Sequence, residues 1–351
     1  MLRRIADYRL VLIGLVTAML AACGGGGDGG NGTTGTGVTY TGPTAAVSID
    51  NTNGGQAINL ANDNVDSLGI DAPSLINPAT GVVLQDDGGN AGKLPGLSGQ
   101  VRRVLEWVKT YQKEASLLTG VTTTQTTSCL NGGTVTVTAS LADPNTLTPG
   151  DFYQITFNAC NDGFSVTSGT ITLNVTAFTG DTSMVGDFTL SGNLVIPDFR
   201  STTAGVTARV GGQLDFEQSR SGTLETGRIT GRRFVLVEGS RQLQLTDFDF
   251  YESLDTNGGA RTYSADFTLA STEIGGSITV TTMVPFQAIW SSPPTVGTLR
   301  VTGGNGAWVE LEALSDGTNV MLRWDLTDPY DGADAGSKVV AWNVLPNTSI
   351  P

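Results

Sequence analysis

The chain contains no histidine, three cysteines and only four lysines. Without histidine there is no Ser-His-Asp or Cys-His nucleophilic centre, no HExxH metal site and no imidazole proton shuttle. No G-x-S-x-G, Walker A or Rossmann fingerprint sits in a fitting strand–helix context. Long apolar runs are also scarce. The one at Leu10–Ala22 is shorter than the roughly 20 residues a spanning helix needs. Basic residues are few, 19 against 33 acidic ones, for a formal charge of −14. Residues 1–22 hold three Arg and one Asp, so the chain from Cys23 onward carries −16. Such an acidic surface argues against nucleic acid and against peripheral binding to anionic lipid. It permits cations, basic peptides and polysaccharides, and requires none of them.

What the chain has in quantity is alternation. In Thr127–Val175, Val135, Val137, Ala139 and Leu141 share one parity, with Thr134, Thr136, Thr138 and Ser140 on the other. Tyr153, Ile155 and Phe157 repeat the pattern, as do Ile171, Leu173, Val175 and Ala177. A period of two with Thr on the polar parity predicts strands with one buried face. Cys129 stands just before the first of these strands and Cys160 just after the second. If the two pair as a hairpin, both thiols come to one end of it, as a disulfide requires. Closing that loop adds about 3–4 kcal/mol on the chain-entropy model. A metal pair and two free buried thiols are the rivals, and zinc lacks a ligand set here. The expectation is a Cys129–Cys160 disulfide, formed in an oxidising compartment.

At the start, Arg3, Arg4 and Arg9 precede the apolar run, which stops at Cys23. Basic head, short apolar middle and small residues before a cysteine describe a signal segment. Leu20-Ala21-Ala22-Cys23 resembles the bacterial lipobox. The resemblance implies cleavage before Cys23, a diacylglycerol on its sulfur and acylation of the new amine, a permanent anchor. Gly24 rather than Asp follows the cysteine. By resemblance to the sorting rule of enteric bacteria, this implies the outer membrane rather than the inner one. Residues 23–43, rich in Gly and nearly free of apolar groups, read as a flexible tether.

Residues 44–351 read as one domain, since no second linker appears. Val47-Ser48-Ile49 suits a short strand. Ala57, Ile58, Ala61, Val65 and Leu68 follow helical spacing, with Asn51 or Asn53 as cap and Gly69 as stop. A stronger helix is expected over 98–119, where Val101, Val104, Leu105, Val108, Tyr111, Ala115 and Leu118 make one apolar stripe. Ser98 suits its N-cap and Gly120 its C′ position. It reads as packed on the open face of a sheet, or as a lid over a ligand groove. From Thr134 to Leu345 alternating segments recur at meander spacing. Gly192 and Gly212 interrupt two of them as bends, and a parity slip predicts a bulge near Thr246-Asp247. Val309, Leu311 and Ala313 lead through Asp316-Gly317 to Val320, Leu322 and Trp324, the clearest hairpin. The fold class expected is mainly all-β: about fifteen strands in one antiparallel meander, curled into a barrel, half-barrel or sandwich, with one amphipathic helix on it.

The combination C-x-N-G-G-T-V-T-V-T at 129–138, T-P-G-D at 148–151, F-N-A-C at 157–160 and S-G-T-I-T-L at 168–173 resembles a group of uncharacterised proteobacterial β-rich lipoproteins. The match covers the signal and about fifty residues, and it implies class and address but no mechanism.

Carboxylate chemistry is the one catalytic route left open, because glycosidases need only two acids at a suitable separation. Candidates are Asp247, Asp249, Glu252 and Asp255 near the expected bulge, and Glu310 and Glu312 beside Trp308. The latter pair falls on the face opposite the core, where such rows are ordinarily solvated. Asp325, Asp328, Asp331 and Asp334 put four carboxylates in ten residues, enough oxygen for Ca2+, though the spacing departs from an EF-hand loop. An ordinary acidic loop is the simpler reading, and no other cofactor or metal is expected. Trp290, Trp324 and Trp342 share core parity, while Trp308 lies on the polar parity. The function expected is non-catalytic: an outer-membrane lipoprotein held by Cys23, with a structural or binding role toward an envelope protein, glycan or lipid. The alternatives are a carrier of an apolar ligand under helix 98–119 and a carboxylate-based polysaccharide-active enzyme.

Overall fold

The computed structural model describes residues 37–68 and 122–345, apart from 144–146, 162, 164, 182–185, 204, 291, 328, 331 and 333–334. Cys23, the tether up to residue 36 and the helix expected over 98–119 lie outside the described residues.

Among the described residues fourteen strands form one antiparallel sheet in strict sequence order. They are β1 (Thr122–Ser128), β2 (Thr134–Ser140), β3 (Phe152–Asn161), β4 (Ser165–Gly180) and β5 (Phe188–Thr203). Then come β6 (Val206–Ser221), β7 (Leu224–Glu238), β8 (Arg241–Asp255), β9 (Ala260–Ser271) and β10 (Gly276–Ile289). The last are β11 (Val296–Thr302), β12 (Trp308–Ala313), β13 (Asn319–Asp325) and β14 (Gly336–Ala341). Among the described residues β1 does not pair with β14, so the sheet is curled but not closed. The meander begins one strand earlier than expected. The missed strand, TTTQTTS, is polar on both faces and carries no alternation to read. Its hydroxyls instead bridge to the neighbouring strand, Thr124 to Thr138 at 3.1 Å and Thr126 to Thr136 at 3.3 Å.

The inner face is a continuous apolar cluster running from β2 to β14. Curling a sheet this tightly needs places where side-chain bulk is removed. Three glycines on neighbouring strands provide them, each facing a phenylalanine directly across the ladder: Gly192 and Phe216, Gly212 and Phe234, Gly231 and Phe248. Each ring lies over the bare backbone. A β-carbon on Gly192 would stand 2.5 Å from Phe216 Cζ, and one on Gly212 would stand 2.7 Å from Phe234 Cδ2. A β-carbon on Gly231 would run into Phe248 Cζ and come within 2.8 Å of the Gln213 carbonyl oxygen. Gly231→Ala is therefore expected to destabilise the protein by about 1–3 kcal/mol through overpacking. A thermal unfolding curve unchanged by the substitution would mean that the Phe248 ring is not seated there.

Bulges add further curvature. The β8–β9 register shifts between Thr246 and Asp249, with Asp247 at φ 49°, where the parity slip predicted it. A second shift, between Phe157 and Cys160 in β3, carries Ala159 at φ 54°.

The helix α1 spans Gly54–Leu68, in agreement with the apolar spacing. Asn53 occupies the cap position, its carbonyl receiving the Ala57 amide at 2.8 Å. Its side chain does not cap the helix but turns back to Ser48 O and the Asp50 amide. Ile58, Ala61 and Val65 seat the helix over β11 and β12 in the shared core.

Residues 37–49 form a strap that reaches α1 by crossing the sheet. Val38 and Tyr40 are buried with Val235 and Ala270 in a second, smaller apolar cluster. Thr41 bonds Gln242, Ala46 bridges Ser277 in parallel, and Gly304 donates to Val47 O. The strap begins inside the stretch read as tether, because Val38 and Tyr40 are the two large apolar side chains there and both find a place on the sheet.

Candidate functional site

Apolar positions on the inner face give way to charge at the end of the sheet where β6 turns into β7 and β8 into β9. Along β6 the inward parity runs Leu214, Phe216, Gln218, Arg220. Along β7 it runs Glu225, Gly227, Ile229. On β8 Glu252 follows Phe248 and Phe250, and on β9 Arg261 precedes Tyr263. Register does the rest. Arg220 faces Glu225 directly, and Gln218, Gly227, Glu252, Tyr263 and Phe286 form one lateral row across five strands.

Glu225 and Glu252 are each 1% exposed. Arg220 is ion-paired with Glu225, and Arg261 with Glu252. The Arg261 guanidinium also lies 5.1 Å from the Tyr263 ring centroid, and Tyr263 stacks on Phe286 at 5.1 Å with a 15° interplanar angle. Gln218 is 2% exposed, and its Nε2 has no hydrogen-bond partner among the described residues. The cluster thus places two carboxylates on the inner face at diagonal positions of adjacent strands. Each is engaged by its own guanidinium rather than aimed, with the other, at a shared substrate position.

The other acids named from sequence are dispersed. Asp249 points to the outer face, paired with Arg228, while Asp255 accepts the Asn257 amide in a turn. Glu310 does not sit on a solvated face as expected. It is 9% exposed and accepts from Arg300 Nε at 2.8 Å, while the same guanidinium lies 4.6 Å over Trp308. The stacked arginine covers both Trp308 and Glu310 on the outer face. Glu312 pairs with Arg323 at 2.8 Å. Trp290 departs from the core position its parity suggested. The strand ends at Ile289, Trp290 takes φ 51° in the turn, and the residue is 52% exposed.

No protein-family model, curated protein or solved structure matches this chain.

Asp325 is 1% exposed and serves its own loop, accepting the Thr327 amide at 3.2 Å and the Gly332 amide at 2.6 Å. Asp328, Asp331 and Asp334 lie outside the described residues. Among the described residues no group of three or more His, Cys, Asp or Glu is placed to hold a metal ion. Asp151 of the T-P-G-D motif has a similar role to Asp325. Buried at 1%, it accepts the Ala142 and Thr148 amides and the Thr148 hydroxyl, and so clamps the loop between β2 and β3.

β2 and β3 pair as the expected hairpin. The bulge at Ala159 shifts parity by one residue, so Cys160 turns into the core rather than out of it. The turn 129–133 folds against that bulge, with Asn131 donating to Asn161 O and Asn161 to Gly132 O. Cys129 and Cys160 are both buried at this end of the hairpin, with no S–S bond drawn between them. In protein matured through an oxidising compartment, we expect neither to label with a thiol reagent under denaturing conditions until it is reduced. Reduction should then cost about 3–4 kcal/mol of stability. Stoichiometric labelling of both without reductant would leave them as core thiols.

Proposed function

We propose that this chain is a lipid-anchored outer-membrane protein with a non-catalytic structural or binding role in the cell envelope. The observation that carries the non-catalytic part is the pairing of the two inward carboxylates, Glu225 and Glu252, each with its own arginine in a chain without histidine. A polysaccharide-cleaving pair needs two acids facing one bond. The continuous apolar cluster on the inner face supports a scaffold more than a carrier, because its side chains pack on one another. The anchoring part rests on Leu20-Ala21-Ala22-Cys23 and the glycine-rich stretch behind it.

The test is mass spectrometry of protein extracted natively from membranes. An intact mass carrying diacylglycerol and a third acyl chain on Cys23, with an envelope protein or glycan retained through purification, is the expected result. A stoichiometric apolar small molecule released on unfolding would turn the reading to a carrier. Turnover of a polysaccharide, abolished by Glu225→Gln or Glu252→Gln in folded protein, would turn it to an enzyme.

A further inference from the structure

Strictly alternating hairpins divide the turns between two ends of the sheet. One end carries the turns β1–β2, β3–β4 and β5–β6, followed by β7–β8, β9–β10, β11–β12 and β13–β14, and each of the first three presents an exposed apolar side chain: Leu130 at 59%, Val166 at 38% and Val206 at 53%. The three turns are neighbours. The Asn131 amide bonds Asn161 O, Asn161 faces Val166, Val166 faces Thr202, and Thr203 faces Val206. In a chain of formal charge −14, no described residue of these three turns is charged. Asp162, in the middle turn by sequence, lies outside the described residues.

The strap fixes where the chain comes from. Gly37, its first residue, lies against Pro197 and Asp198 on β5. Its carbonyl accepts from Arg209 on β6 at 3.5 Å, and Arg209 is itself held by Asp198 at 2.9 Å. Arg209 is three residues from Val206, about 10 Å along the strand. It is twelve residues from Ser221 at the opposite end, about 40 Å away. Cys23 stands fourteen positions before Gly37, a span of at most about 48 Å fully stretched. A lipid on Cys23 is therefore well within reach of the Leu130–Val206 end. It reaches the opposite end, where Leu224, Ile289, Trp290 and Val296 are exposed, only near full extension.

We propose that the hairpin tips bearing Leu130, Val166 and Val206 rest on the bilayer that holds the Cys23 lipid, so that the β1–β6 corner of this end faces the membrane. The orientation rests on the anchor reading above, and it goes beyond that reading by naming the surface that meets lipid. It leaves the Trp290 end facing away from the membrane.

The experiment uses the natively lipidated full chain in vesicles of phosphatidylethanolamine and phosphatidylglycerol, doped with a lipid carrying a diazirine high on its acyl chain. After irradiation the cross-linked peptides are mapped. Adducts are expected at Leu130–Asn131, Ser165–Val166 and Val206–Thr207, and they should be lost in the triple variant Leu130→Ser, Val166→Ser, Val206→Ser. All three positions are solvent-exposed, so an unchanged circular dichroism spectrum and intact lipidated mass verify that the variant is folded and anchored. Adducts confined to the turns at Leu224 and Trp290, or no adducts on a demonstrably lipidated protein, overturn the orientation and leave the anchor standing. An intact mass without the lipid overturns the anchor, and the orientation falls with it.

Discussion

Cys23→Ser is expected to move the protein quantitatively from the membrane to the soluble fraction. The magnitudes make this an all-or-none effect. Each buried methylene of an acyl chain contributes about 0.8 kcal/mol, so two or more chains hold a protein on a bilayer permanently. The exposed side chains at the hairpin tips compare poorly. Leu130, Val166 and Val206 would contribute at most about 1.5–3 kcal/mol each if they were fully buried. They begin partly covered and rest on a headgroup layer. Their contact can set orientation but cannot retain the protein once the lipid is gone. No described helix is long and apolar enough to take over as a span. Fractionation of cells expressing the variant, with circular dichroism to show that the sheet has formed, checks the outcome. Continued membrane association of a folded variant would end the lipoprotein reading.

The sheet was legible in the sequence wherever one face is apolar and the other polar. Val135 through Ala139, Tyr153 through Phe157, and Val309 through Ala313 with Val320 through Trp324 all pair where alternation placed them. α1 was legible from five apolar positions despite its Asn and Asp content, because packing on β11 and β12 outweighs weak propensity. β1 was not legible. Thr123, Gln125 and Thr127 pair with Ala139, Val137 and Val135 in register, so the register comes from the neighbouring strand and leaves no pattern of its own. Of the inner-face cluster only Glu252 was singled out, and as one of a row of acids near a bulge. A usable signal existed: Gln218, Arg220, Glu225 and Arg261 continue the core parity of their strands with the wrong chemistry. Opposite charges at core parity near the same turns predict inward ion pairs. Reading them as such needs knowledge of which strands are neighbours, and a meander supplies it.

That inner-face cluster also gives the largest stability effect in the folded domain. Arg261 and Glu252 are 10% and 2% exposed at their side chains, and they meet across β8 and β9 beside the Tyr263 ring. Burying two ions costs several kcal/mol each, which their mutual attraction roughly offsets. Removing one partner keeps the cost and discards the compensation. Glu252→Leu is therefore expected to destabilise the protein by about 3–5 kcal/mol, since the guanidinium stays inward without the carboxylate that neutralises it. Glu252→Leu combined with Arg261→Met replaces the pair by apolar groups of similar length next to Phe250 and Phe286. It should regain most of that loss. Arg220→Met, one strand pair away, should behave toward Glu225 as Glu252→Leu does toward Arg261. Denaturant unfolding of the single and double variants measures the coupling directly. A double variant no more stable than Glu252→Leu alone would show that Arg261 and Glu252 are not coupled as a pair. The inward charges would then have to be held by the wider cluster that includes Gln218, Glu225 and Tyr263.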